Sequence, residues 1–205
     1  MLLYAEKALQ KDGTFAVLIP DGDLAFQALA ARRGYMATQD KEHEAMFDLE
    51  TGDTRYTLPQ GYRVTTMRET YDLYQYGQVL WKGFNHEQNG EGPFVMKGHF
   101  AREFERPYLN RDIKVAVVAP NGDFVSYCGM WQDDQSPSAL VEPVATDPAY
   151  RKLGLGRAAV LEGLRRCAAL GAKRAFVGSS QQFYYAIGFR PYTANTYWAR
   201  KTVVE

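Results

Sequence analysis

Excess charge is missing from this sequence: 24 lysines and arginines stand against 24 aspartates and glutamates, for a formal net charge of zero. A neutral chain offers no electrostatic footprint for nucleic acid or an anionic membrane, so neither is expected as a partner and any basic site must be local. Cysteine is scarce. The two copies, Cys128 and Cys167, form no Cys-x-x-Cys spacing and read as reduced, buried thiols. The three histidines, His43, His86 and His99, are scattered with no pair at metal-ligand spacing, and no metal site is expected. No run approaches the ~20 apolar residues of a membrane-spanning helix. The opening Met-Leu-Leu-Tyr-Ala-Glu-Lys is too charged, and its apolar run too short, for a signal peptide. The expectation is a soluble, cytoplasmic protein.

What the chain does have is enough apolar material for a core. Its 205 residues are 46% hydrophobic, sufficient for one large or two small domains. Residues 2–10 read as the end of a helix that Lys11-Asp12-Gly13 breaks. A strand is expected at Thr14–Pro20, then a helix over 24–33 capped from Asp21-Gly22-Asp23 and closed by Gly34. Residues 35–50 read as one strand or two. A linker punctuated by Thr51-Gly52-Asp53 and Leu58-Pro59-Gln60-Gly61 follows, and the pattern begins afresh. A strand (62–67), a helix (71–84), a polar loop (85–93) and a second helical region (94–109) lead to two strands, 113–119 and 124–131. Asn121-Gly122 between these two is a strong hairpin signal. A strand over 139–146, a helix over 157–170, a short strand (175–177), a short helix (181–187) and a final strand or hairpin (190–202) complete the pattern. The long helix should bury Val160, Leu161, Leu164, Cys167 and Ala168 and pair Glu162 with Arg165 or Arg166 on its outside.

The first 50 residues repeat the pattern of the last 50. Ala31-Arg32-Arg33-Gly34-Tyr35 lies over Tyr185-Ala186-Ile187-Gly188-Phe189. This divides the chain into a partial repeat, 1–57, and a complete domain, 58–205. The partial copy has no glycine loop and Ala30 at the position of Tyr184, so no catalysis is assigned to it. It could complete a sheet beside the main domain or pair with another subunit, which leaves a homodimer open.

The most informative stretch is Val-Glu-Pro-Val-Ala-Thr-Asp-Pro-Ala-Tyr-Arg-Lys-Leu-Gly-Leu-Gly-Arg-Ala, residues 141–158. A glycine loop that opens a helix presents free N–H groups and the positive end of the helix dipole, which suits an anion. Arg151, Lys152 and Arg157 add full charges there, and cations at a helix start need an anion to offset them. A dinucleotide fingerprint would need the first glycine directly after a strand and an acid ~20 residues on. Here Asp-Pro-Ala-Tyr-Arg-Lys intervenes and the next strand ends in Gly178-Ser179-Ser180-Gln181, without a carboxylate.

Arg151-Lys-Leu-Gly-Leu-Gly-Arg-Ala158, its lead-in Val144–Tyr150, and Phe183-Tyr184-Tyr185-Ala186-Ile187-Gly188-Phe189 together resemble the GNAT-type N-acetyltransferases. The resemblance covers residues 61–205, and the N-terminal segment is similar to the tail of a second, degenerate copy, as in tandem members. It implies an α/β fold: a mixed, largely antiparallel sheet flanked by helices, with an N-terminal half-copy. It also implies acetyl-CoA as cosubstrate and a small-molecule or peptide amine as acceptor. By the same resemblance Arg151, Lys152, Leu153, Gly154, Leu155, Gly156 and Arg157 hold the pyrophosphate, and Val144, Ala145 and Thr146 pair with the pantetheine arm. Glu142 is then the candidate base, and Tyr184, with Tyr185 as its neighbour, the candidate acid for the departing thiolate. Trp81, Phe84 and Tyr192 are candidates for an acceptor groove, and Asp133 and Asp134 for steering a cationic acceptor. Two other classes remain open: a non-catalytic acyl-CoA-binding sensor, and a nicotinamide-dependent oxidoreductase.

Overall fold

The computed structural model of the protein describes residues 2–10, 14–96 and 98–201. The expected helix break at Lys11-Asp12-Gly13 and the expected strand end at Thr202 lie outside them. Along the chain run α1 (Leu2–Ala8), β1 (Thr14–Pro20), α2 (Leu24–Arg32), β2 (Met36–Asp48), β3 (Arg63–Thr66), α3 (Leu73–Gly83), α4 (His99–Phe104), β4 (Lys114–Val118), β5 (Phe124–Gln132), β6 (Ser138–Thr146), α5 (Leu155–Ala169), β7 (Arg174–Val177), α6 (Gln182–Ile187) and β8 (Arg190–Lys201), with 3-10 turns at Arg111–Ile113 and Pro148–Tyr150.

Two expectations need correction. The second helical region, read over 94–109, shrinks to α4 (His99–Phe104). Pro93, Gly98 and Pro107 bound it, and Phe94 packs its ring on Tyr74 and Trp81 instead of extending a helix. The long helix, read from Arg157, begins at Leu155, because the left-handed turn falls at Gly154.

The chain divides into two compact units, one of residues 1–45, 178–185 and 190–205, the other of 46–177 and 186–189. In the first, β1 pairs antiparallel with β8, from Thr14↔Lys201 to Pro20↔Asn195. The Asp23 carboxylate caps α2 by accepting from the Phe26 N–H at 2.9 Å. Phe15 and Ile19 of β1, Ala30 of α2 and Tyr35 form the core, and Trp198 of β8 packs against it.

The second unit carries the strand order β7-β6-β5-β4-β3. β3 to β6 pair antiparallel, while β7 joins β6 in parallel, so the sheet is mixed. Both faces are covered. Alternation along β5 turns Tyr127 toward Tyr76, Val79 and Leu80 of α3. It turns Cys128 and Met130 toward α5, where a side chain at Gly163 would meet the Met130 Cγ at 2.8 Å. Asp72 caps α3, accepting from the Gln75 N–H at 3.0 Å.

Glu162 pairs with both expected arginines but lies inside, 3% exposed, and not on the outer face of α5. Its carboxylate accepts from Arg165 at 2.8 and 2.6 Å, from Arg166 at 2.7 Å and from the Tyr56 hydroxyl at 3.2 Å. The stretch after β2, read as a linker, brings Tyr56 to this pair. Burial opposes the charge on Glu162, but the bonds from Arg165 and Arg166 outweigh it and hold the carboxyl below its ordinary pKa.

Candidate active site

Partway along, β6 loses its pairing with β7, and its ladder with β5 is interrupted. Its parallel register with β7 ends at Leu140↔Phe176. Against β5 the register steps from Cys128↔Val144 to Met130↔Val141, so Glu142 and Pro143 together face Gly129. This is a β-bulge, and Pro143, having no N–H, sits where the ladder is interrupted. Gly129 permits it: a Cβ there would lie 2.5 Å from the Glu142 carbonyl oxygen and 2.9 Å from the Pro143 Cδ. The Trp131 indole N–H donates to that same carbonyl at 2.8 Å. On the β7 side, residues 141–146 have no partner in β7, which leaves that edge of β6 without a neighbouring strand.

Past Thr146 the chain enters a loop tied to the end of α3. Asp147, buried, accepts from the Ala149 N–H at 2.9 Å and meets Lys82 Nζ of α3 at 3.2 Å. Arg151 donates to the carbonyls of Thr146 (3.2 Å) and Gly83 (2.8 Å) and to Asn85 Oδ1 (3.0 Å). Its cation sits at the negative end of the α3 dipole and braces the loop from within. Lys152 has φ +66° and Gly154 φ +78°, so the turn closes through left-handed residues on either side of Leu153. Unlike α2 and α3, α5 starts with no side-chain cap. Its first N–H groups are unpaired, and Lys152 and Arg157 stand exposed beside them. Arg157 also donates to the Ala186 carbonyl at 3.4 Å.

Next to the bulge is a cavity of about 510 Å³, lined by Tyr76, Leu80, Glu103, Arg106, Trp131, Leu140, Glu142 and Pro143. Glu103 accepts from the Tyr76 hydroxyl and lies 3.5 Å from Lys114 Nζ, an ion pair without a well-formed hydrogen bond. Lys114 is fully buried, and its Nζ stands 3.3 Å from the centre of the Trp131 ring. Burial pushes the Lys114 ammonium down to about 8 from its ordinary 10.5, with Glu103 opposing. Between those values the unfolded chain binds a proton that the folded one does not, so folding gains stability as pH rises through the window. The melting temperature is expected to climb between pH 8 and 10 and to lose that climb in Lys114→Met, as thermal scans across pH would show.

Of the residues singled out in the sequence, Glu142, Val144–Thr146 and Arg151–Arg157 share the second unit, in one continuous run from bulge to helix. Tyr184 belongs to the first unit, buried in α6 with its ring centre 5.0 Å from that of Phe183. Trp81 is not in the cavity wall; it stacks on His86 at 4.3 Å and donates to the Gly92 carbonyl. Phe84 is exposed and not among the lining residues, and Tyr192, also exposed, belongs to the first unit. Asp133 and Asp134 line a wider groove of about 1030 Å³ that shares Arg106, Trp131 and Leu140 with the cavity. Among the described residues no three His, Cys, Asp or Glu side chains gather as metal ligands, and no helix is long and apolar enough to cross a membrane. Sequence reasoning missed Tyr76, Glu103, Arg106, Lys114 and Trp131. The available signal was the Glu103/Arg106 pair, three residues apart in a segment rich in aromatics.

This wedge in the sheet, opening onto an uncapped glycine-loop helix, agrees with the family comparison. The sequence profile of the acetyltransferase (GNAT) family matches residues 73–189, more than half of the chain, and the chain belongs to that family. No curated protein matches it. Among solved structures, a GCN5-related N-acetyltransferase from Sphaerobacter thermophilus superposes with a TM-score of 0.69 at 13% identity, over 93% of this chain and 60% of that one. A tandem GNAT protein from the clavulanic acid biosynthesis pathway gives 0.67 at 16% identity, over 94% and 64%. A GCN5-related N-acetyltransferase from Kribbella flavida gives 0.62 at 12%, over 90% and 67%. Identities this low speak to fold alone. The chain spans less than two thirds of the first two of these proteins.

Proposed function

We propose that the protein transfers an acetyl group from acetyl-CoA to an amine by direct attack. The observation that carries this reading is the continuity of β6, free of β7 beyond Leu140, with the uncapped start of α5. The edge of β6 that β7 leaves free at Val144, Ala145 and Thr146 suits the amide-bearing pantetheine arm, although the Ala145 carbonyl already accepts from Ser126 and the Thr146 carbonyl from Arg151. The N–H groups from Lys152 to Arg157, with the Lys152 and Arg157 charges, suit the pyrophosphate, and Arg151 holds that loop in shape. Acetyl-CoA, when bound, supplies an activated acyl carbon on a thiol leaving group. An acceptor ammonium must first lose a proton. Glu142 is the proposed base, directly or through one water: it lines the cavity, and its carboxylate has no hydrogen bond or ion pair within the described residues. The amine nitrogen then bonds to the acyl carbon and the carbon–sulfur bond breaks; Tyr184 is the proposed donor of a proton to the thiolate, and the second proton, shed by the nitrogen as it becomes an amide, restores the Tyr184 hydroxyl by way of solvent.

Residues 1–57 fit a partial copy of the domain at 58–205. In support, Gly34 and Gly188 both have positive φ and both precede a buried aromatic, Tyr35 and Phe189.

Calorimetry should give micromolar binding of acetyl-CoA with turnover on some amine of a broad panel. Absence of binding at millimolar ligand sinks the reading. Binding without any turnover supports an acyl-CoA sensor instead.

A further inference from the structure

The charges around the cavity beside Glu142 fall into two kinds. Glu103 is taken: Tyr76 donates to it, and Lys114, buried and packed on Trp131, faces its other oxygen at 3.5 Å. Arg106 and Glu142 are not taken. Neither side chain has an ion pair or hydrogen bond within the described residues, and both line the cavity. Arg106 only rests near Trp131, its guanidinium carbon 5.7 Å from the ring centre. A ligand therefore meets one free cation and one free anion. The remaining wall is Leu80, Leu140, Pro143 and the rings of Tyr76 and Trp131, and the volume of about 510 Å³ suits a small molecule better than a peptide chain.

We infer that the acceptor is a small zwitterionic amine of amino-acid type, its amino group toward Glu142, its carboxylate on Arg106, and its side chain against Trp131 and Leu140. The inference rests on the acetyltransferase reading of the site. A guanidinium fork matches a carboxylate with two parallel hydrogen bonds, whereas a polycation entering the same cavity would have to desolvate against it. The aspartates of the neighbouring groove, Asp133 and Asp134, favour the polycation and make it the competing outcome.

The test uses the full chain and matched probes: L-phenylalanine and L-leucine, the corresponding amines without carboxylate (phenethylamine and 3-methylbutylamine), and spermidine. Binding is read by saturation-transfer NMR without acetyl-CoA, and acetyl transfer by thiol release with it. The expected result is a kcat/KM for at least one amino acid about 10- to 100-fold above its decarboxylated partner, as one charge-assisted bidentate contact would give. In Arg106→Gln that ratio should fall to about 1 through a rise in the KM of the amino acid, and Arg106→Lys should restore part of it. Preference for spermidine or for the plain amines overturns the inference, as does an unchanged ratio in Arg106→Gln or failure of both amino acids to bind. Loss of acetyl-CoA binding in the native chain overturns the acetyltransferase reading instead, and the NMR arm still reports on the acceptor.

Discussion

Glu142→Gln is expected to lower kcat by about 10²- to 10⁴-fold, the range for removing a positioned general base, with little change in acetyl-CoA affinity. The substitution keeps shape and hydrogen-bonding reach but cannot hold the proton. The main chain at Glu142 should be undisturbed, because the Trp131 indole bonds to its carbonyl and not to its carboxylate. The Glu142 side chain is exposed and makes no bond to the described residues, so folding should be unaffected and calorimetry and melting should match the native chain. At raised pH, where more of the acceptor is already neutral, the deficit should shrink. A variant that keeps full turnover at neutral pH would remove Glu142 from the chemistry and leave the base to another group or to solvent.

The second large effect is structural. Gly83→Ala would put a Cβ 2.6 Å from the Ala145 Cβ and 2.9 Å from the Thr146 nitrogen, both fixed parts of β6. Neither neighbour is the far end of a flexible side chain, so α3 and β6 must separate. Overpacking of this kind costs about 1–3 kcal/mol, less up to about 1 kcal/mol regained because alanine suits a helix better than glycine. Arg151 donates to the Gly83 carbonyl, so the displacement also reaches the loop ahead of α5. The expected outcome is a melting temperature lowered by several degrees together with acetyl-CoA affinity reduced tenfold or more. Gly22→Ala, at a position with open space around it, serves as the control and should change neither. Native affinity in Gly83→Ala would mean that the loop holds its shape without α3.

Local signals read true where the cause is local. Asn121-Gly122 marks the turn between β4 and β5, Asp72 caps α3, and the break in the β6 ladder falls at Pro143. What escaped the sequence depends on partners far along the chain. Glu162 looks like a solvent-facing helix residue until Tyr56, 106 positions earlier, is laid against it. Arg151 has the charge and place of an anion ligand, yet its guanidinium goes to Gly83 and Asn85, more than 60 positions away. The cavity wall combines α3, the segment around α4, the end of β5 and the middle of β6, and no spacing rule joins these. The helical reading of 94–109 overran α4 because sequence pattern cannot tell a helix face from a strap, and Phe94 packs on Tyr74 and Trp81 of α3.

The brace between the end of α3 and the loop has a mechanical consequence. Lys82 and the Gly83 carbonyl hold the loop through Asp147 and Arg151, while Leu80 and Tyr76, about one and two turns back on the same rod, form part of the cavity wall. A helix of three turns transmits a push along its axis almost undiminished. On the acetyltransferase reading, seating a phosphate group at one end is therefore expected to be felt at the other, and acetyl-CoA to tighten a cavity that already binds the acceptor.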